Sequence, residues 1–308
     1  MNSMDHPILT GLHILLTYQC TFECDHCFVW GSPWQVGTLS LAQIRNVLEQ
    51  ARDMKSIREI YFEGGEPFMY YATLVKAVEE ADRMGFEVGI VSNAYWAISQ
   101  EDAIEWLKPF RGRLADLSIS SDLFHYDESY SIQIQNAEAA AKFLDIPYGV
   151  IRVASLETNG RNDSYGVIQH VTANDSSSVM YRGRAAIKLA DVAPKYPWEK
   201  FQSCPYEDLL SPGRIHLDPL GNLHICQGIS IGNLFEQSLG VIWKNYSPTN
   251  HPIIGPLVEG GPAELARRYS TLNLVEFADA CHLCFITRSL LRPRFPTILL
   301  PDQMYGIF

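Results

Sequence analysis

Three cysteines crowded into one short stretch constrain this chain more than any other feature: Cys20-Thr21-Phe22-Glu23-Cys24-Asp25-His26-Cys27. A loop with this spacing can fold its sulfurs around one metal centre, because thiolate ligands must converge on a shared ion or cluster. An iron–sulfur cluster normally takes four protein ligands, so three leave one iron open to a substrate or cofactor. A zinc site, or thiols buried for unrelated reasons, also satisfies the spacing taken alone. The other cysteines are Cys204, Cys226, Cys281 and Cys284, so seven divide into three plus four.

The setting argues against disulfides. Met1-Asn2-Ser3-Met4-Asp5-His6-Pro7 lacks the basic and then apolar layout of a signal peptide. A cytoplasmic location is therefore expected, where thiols stay reduced. Apolar runs such as Ile14-Leu15-Leu16 fall far short of the roughly 20 residues of a membrane span, and no membrane association is expected. A net charge of −11 and a pI near 5.3 disfavour nucleic acid as a partner, because phosphate backbones select basic faces.

Apolar, β-rich runs at His13–Thr17, Glu59–Phe62, Glu87–Ser92, Leu114–Ser120 and Tyr148–Ala154 alternate with helix-period segments. Those segments lie near Leu41–Met54, Thr73–Met84, Gln100–Leu107 and Ser131–Leu144. Alternation at about 30-residue spacing predicts repeated βα units around a parallel sheet, with functional groups at the C-terminal strand ends. A last strand is expected through Val179-Met180-Tyr181, and the shift to Pro and charge around Asp191–Pro197 marks a domain boundary. The expected division is 1–190 and 191–308.

The second strand ends in Glu63-Gly64-Gly65-Glu66-Pro67, one βα unit after the cysteine loop. Together, Cys-x3-Cys-x2-Cys and this Gly-Gly-Glu-Pro segment resemble the radical S-adenosylmethionine (SAM) superfamily. The resemblance implies an α/β fold, a partial (β/α)6 barrel of the radical SAM type. It implies a [4Fe–4S] cluster on Cys20, Cys24 and Cys27 whose open iron chelates SAM, with Gly64, Gly65, Glu66 and Pro67 holding the methionyl amino group. Asn93 at the third strand end, and Ser120 and Asp122 at the fourth, match positions near SAM and its ribose; helix capping is the plainer role for Asn93 and Asp122. Arg152 is a candidate carboxylate partner, through its planar fork, or half of a structural ion pair. Many relatives place an adenine-stacking aromatic where His26 stands, which leaves that contact to His26 or Phe28. His125 and Asp127, beyond the fourth strand, are candidate acid–base residues reaching the barrel mouth, against the plainer reading of solvated or capping groups. Tyr95 and Trp96 belong either to the pocket wall or to the core.

Arg214–Cys226 reads as a β-hairpin around Pro219-Leu220-Gly221-Asn222, delivering Cys226 at the end of its second strand. Cys281-His282-Leu283-Cys284 begins a predicted helix. With Cys204, Ile231-Gly232-Asn233-Leu234 and the upstream Tyr181-Arg182-Gly183-Arg184-Ala185, this region resembles the SPASM/twitch extension of radical SAM enzymes. It has four cysteines where a full SPASM domain has enough for two clusters, so the resemblance implies one auxiliary [4Fe–4S] cluster in a small C-terminal α+β iron–sulfur domain. A zinc knuckle on the same four residues is the alternative.

The implied activity is reductive cleavage of SAM to a 5′-deoxyadenosyl radical that abstracts a substrate hydrogen, in an oxidoreductase-type reaction. The first strand begins near Leu12, leaving no room for an N-terminal peptide-recognition element, so the expected substrate is a small polar metabolite that is oxidised or rearranged. The alternative is maturation of a ribosomally made peptide. An electron donor such as flavodoxin or ferredoxin is an expected partner. An iron–sulfur electron carrier or a zinc-binding module is the reading from another class, though neither needs the Gly-Gly-Glu segment.

Overall fold

The computed structural model describes residues 7–126, 130–153, 179–270 and 275–308. Five βα-type strands open the chain: β1 (Gly11–Thr17), β2 (Glu59–Gly64), β3 (Glu87–Ser92), β4 (Leu114–Ser120) and β5 (Tyr148–Ile151). Between them run α1 (Leu41–Asp53), α2 (Tyr71–Arg83), α3 (Gln100–Leu107) and α4 (Ile132–Phe143). The five strands are mutually parallel in the order β5-β4-β3-β2-β1. Parallel neighbours need crossovers, and the amphipathic helices supply them. α1 begins in a reciprocal cap, with Gln43 N donating to Ser40 Oγ and Ser40 N donating to Gln43 Oε1.

After a short α5 (Ala185–Lys188) and β6 (Tyr196–Pro197), the chain returns to the sheet. β7 (Arg214–Leu217) pairs parallel to β1, and β8 (Asn222–Cys226) and β9 (Ile229–Asn233) follow antiparallel. The hairpin expected at Arg214–Cys226 therefore extends the barrel sheet at its β1 edge. α6 (Leu239–Lys244), α7 (Ile254–Tyr269, kinked at Gly260-Gly261), β10 (Glu276–Phe277, paired with β6) and α8 (Ala280–Leu291) complete the fold. Residues from both sides of position 190, including Leu12, Ile14, Ile215 and Leu217, share one apolar core. The α/β partial barrel is the architecture expected.

One expected strand is absent. Val179, Met180 and Tyr181 form no strand. Tyr181 N instead donates to Asp279 Oδ2, and Val179 and Tyr181 pack in a small cluster with Ala185, Leu189 and Ala278. A side-chain acceptor has taken the place of a sheet ladder, which short β-rich runs permit.

Strand alternation gives the sheet two unlike faces. Ile14, Ile60, Phe62, Val88, Ile90, Leu117 and Ile119 are fully buried on one. On the other, the register aligns His216 of β7, His13 of β1, Tyr61 of β2, Gly89 of β3 and Asp116 of β4 in one row. Tyr61 lies across Gly89, where a Cβ would sit 2.3 Å from the ring, and its hydroxyl reaches Asp116 Oδ2 at 3.4 Å. Gly89→Ala should therefore displace Tyr61 and cost roughly 1–3 kcal/mol. Urea denaturation checks this: the same change made in a Tyr61→Ala background should cost far less, and equal costs in both backgrounds would exclude the ring as the cause.

Candidate active site

β1 runs straight into the cysteine loop, and β2 ends beside it. Gly64 has φ +131°, and a Cβ there would lie 2.4 Å from the Thr17 carbonyl oxygen. At Gly65 a Cβ would meet Gln19 O at 2.0 Å. Only glycines allow this contact. Gly65 N donates to Thr17 O (2.7 Å) and Glu66 N to Gln19 O (2.9 Å), so the segment clamps the backbone leading into Cys20. Gly31 packs close to the loop, where an added Cβ would lie 3.4 Å from both Cys20 Cβ and Gly65 Cα.

Glu66 is fully buried. Its carboxylate accepts from Phe68 N, Ser92 Oγ and Asn93 N, tying the end of β2 to the end of β3. Burial raises it to about 7, despite these hydrogen bonds. Pro67 is buried at the start of the turn that Glu66 caps. Asn93 Nδ2 donates to Thr21 Oγ1 (3.1 Å) and approaches Cys20 Sγ (3.5 Å), so it braces the loop directly. Trp96 belongs to the core, stacked on Phe68, whereas Tyr95 is half-buried beside it.

Backbone N–H groups point at the sulfurs: Phe22 N at Cys20 Sγ (3.4 Å) and Gly31 N at Cys27 Sγ (3.2 Å). Burial, then the Glu66 carboxylate, push Cys20 to about 12, and burial and Cys27 push Cys24 up as well. These two thiols ionise at neutral pH only if a metal supplies the positive charge.

The β4 end forms the opposite wall. Asp122 Oδ1 pairs with His125 Nδ1 at 2.8 Å, while Asp122 Oδ2 is buried without a hydrogen-bond partner, 4.0 Å from His26 Nε2. Burial opposes the Asp122 charge, but the hydrogen bond from His125 holds it below its usual value. Burial lowers His26 to about 4, so it is neutral, and it packs on Phe124. An orphaned carboxylate oxygen facing the cysteine loop suits a ligand that donates hydroxyls, as the ribose of SAM does. Ser120 is partly buried just before this wall. Phe28 lies under the Arg182 guanidinium, 5.1 Å from its ring centroid, and Arg152 lies over Tyr130 at 5.8 Å. Asp127 falls outside the described residues.

Three features escaped the sequence reading. Arg184 is buried and donates to Cys24 O (2.6 Å) and Gly31 O (2.9 Å), while its own N–H donates to Cys27 O (2.9 Å). Glu63, just before the glycines, bridges His13 Nδ1 (3.2 Å) and His216 Nδ1 (2.9 Å) on the inner face. The row of register partners below it continues through Tyr61 to Asp116, whose Oδ1 is buried without a partner. Only the strand alternation hinted at this layer; pairing across 150 residues did not.

The second cysteine group converges as expected. Cys204, Cys226, Cys281 and Cys284 line one cavity of about 20 Å³ together with Arg182 and Arg288. Cys281 and Cys284 come from the first turns of α8, where Asp279 caps the helix by accepting from His282 N. Burial, then Cys226, push Cys204 to about 12, and burial also raises Cys281 and Cys284. The two arginines are buried with Nε unpaired, and Arg288 has no carboxylate partner among the described residues. That environment fits an anionic group held between them.

Residues 14–140 match the profile of the Radical SAM superfamily. That stretch, about two-fifths of the chain, is a radical SAM domain match. The match implies a [4Fe–4S] cluster and SAM. The peptide biosynthesis protein YydG of Bacillus subtilis is 29% identical over 43% of this chain and 42% of its own length. A glycyl-radical enzyme activating enzyme of Methanocaldococcus jannaschii is 27% identical over 42% of this chain and 46% of its own. The matches thus span less than half of either relative. A solved structure, native anSMEcpe with bound AdoMet, shares the fold at TM-score 0.52 and 11% identity, over 94% of this chain and 98% of that one. No helix among the described residues is long and apolar enough to cross a membrane.

Arg184→Ala should strand two buried carbonyls and destabilise the protein by roughly 2–4 kcal/mol. It should also lower iron incorporation at the three-cysteine site. Denaturant midpoints and iron per chain check both, and full iron loading in the variant would remove Arg184 from the support of the loop.

Proposed function

We propose that this chain is a radical SAM enzyme that oxidises or rearranges a small polar substrate, with an auxiliary cluster at its second cysteine group. The observation that carries the reading is the meeting of three sulfurs, the Gly64-Gly65 clamp and the orphaned Asp122 oxygen at adjacent ends of parallel strands. When bound, the cluster supplies one electron to break a carbon–sulfur bond of SAM, giving methionine and a 5′-deoxyadenosyl radical that takes a substrate hydrogen atom.

The chain's own groups position and insulate. Cys20, Cys24 and Cys27 hold the cluster and leave one iron for SAM. Backbone groups of Gly64, Gly65, Glu66 and Pro67 border the methionyl end, while Asn93, Ser120 and Asp122 serve the nucleoside end with Phe28 and Arg152 at its margins. Asp122 orients His125 as a neighbouring acid–base group, with Asp127 in the segment that follows. Below them Glu63 holds both imidazoles of His13 and His216 through Nδ1, which leaves Nε2 of each as acceptors for a polar substrate.

Cys204, Cys226, Cys281 and Cys284 are proposed to hold a second [4Fe–4S] cluster that takes an electron from the substrate radical. The division at 190 then marks a change of role within one shared core. A flavodoxin or ferredoxin is the proposed electron source. The name of the Bacillus relative favours a second reading, in which the substrate is a peptide.

Anaerobically reconstituted protein should hold about eight irons per chain, the sum of two four-iron clusters. With dithionite it should convert SAM to 5′-deoxyadenosine and methionine. Changing Cys20, Cys24 and Cys27 to Ala together should abolish cleavage and leave about half the iron. Continued cleavage in that variant overturns the enzyme reading, and about one zinc per chain in place of the retained iron overturns the second cluster.

A further inference from the structure

We infer that Arg182 and Arg288 set the second cluster's reduction potential, making it an electron acceptor; this rests on the auxiliary-cluster reading above. The two side chains enter the cavity of the four cysteines from different elements. Arg182 lies just ahead of the turn at Gly183-Arg184, and Arg288 lies one helical turn beyond Cys284 on α8. Both residues are nearly inaccessible, at 8% and 2%. Arg182 Nη1 stands 3.9 Å from Cys226 Sγ.

Their charges are only partly offset. Glu207 lies 3.6 Å from Arg182, but it is shared with Arg214 at 3.7 Å. Arg288 donates to Gln227 O (2.6 Å) and to Tyr305 Oη (3.4 Å), which are both uncharged partners. Asp279, the cap of α8, is a further carboxylate near the cysteines among the described residues, and its oxygens accept from His282 N and Tyr181 N. The positive end of α8 points the same way as the arginines. A buried, uncompensated guanidinium is costly, and an anionic cluster removes that cost.

Reduction adds one electron and no proton, because arginine is already protonated throughout the working pH range. The cluster gains one negative charge, and nearby buried cations stabilise the reduced form more than the oxidised one. Net charge and hydrogen bonds to sulfur are among the determinants of iron–sulfur potentials. The arginines thus favour electron uptake by the second cluster.

Redox titration followed by electron paramagnetic resonance tests this in the Cys20, Cys24, Cys27 triple Ala variant, whose only signal comes from the second cluster. Iron content is measured first; a triple variant without iron overturns the second cluster itself, a different failure. With iron retained, Arg288→Gln should shift the reduction equilibrium at least tenfold toward the oxidised form, about 59 mV for one electron. Arg182→Gln should shift it in the same direction and Arg288→Lys should restore most of the loss. Superimposable titration curves overturn the inference. Should Arg288→Gln lose its iron, Arg182→Gln and Arg288→Lys decide, and loss of the cluster in all three would assign the arginines a purely structural role and likewise overturn it.

Discussion

Gly183 has φ +58°, and a Cβ there would lie 2.5 Å from the Cα of Phe28, so the chain turns directly against the first cysteine loop. The side chains on either side of that contact then diverge. Arg184 hydrogen-bonds the loop carbonyls of Cys24 and Gly31, and Arg182 reaches Cys226 and Glu207 in the second cysteine site. One three-residue segment therefore fixes the two thiol groups relative to each other. It can do so only because glycine permits the approach, and because five donors on a rigid guanidinium satisfy several carbonyls at once. A lysine at 184 would keep the charge and lose the fork.

The same segment explains how so much charge is tolerated inside. Burial holds five thiols, Cys20, Cys24, Cys204, Cys281 and Cys284, above their ordinary range in the absence of a metal. Without metal these sites would be neutral sulfur beside buried guanidinium, an arrangement stabilised by neither partner. With thiolates ligated, the anion and the cation each lower the cost of burying the other. Folding around the second site and metal occupancy are thus linked in sign, even though the apolar core runs continuously through both halves of the chain.

Local pattern made much of this legible. β3, α3 and β4 have the bounds that alternation and capping residues give, because each is a strongly periodic segment with clear stops. The four later cysteines line one cavity, as the resemblance to the SPASM/twitch extension implies. The strand expected at Val179–Tyr181 failed because a side chain, Asp279, captures the Tyr181 N–H that a ladder would have used. The glycines of Gly64-Gly65 were legible as a close approach, but the surface approached is the Gln19 backbone, which no local pattern names. Arg184 was visible within a motif, yet its carbonyl partners lie more than 150 residues away.

The inner row shows why such long-range features matter to chemistry. Glu63 is one residue before the glycine clamp, so its position is set by the same strand end that positions the cysteine loop. Burial alone would raise its carboxyl, but the His13 and His216 imidazoles hold it well below the usual range. An ionised carboxylate accepts from both Nδ1 atoms, which selects the tautomer with a free Nε2 on each ring. Tyr61 stacks on His13 at 4.8 Å and continues to Asp116 across the space that Gly89 leaves empty. A barrel interior built only for packing would fill that space with branched side chains. This one carries polar side chains at one level on four of the five register-aligned strands, and leaves Asp116 Oδ1 buried without a partner.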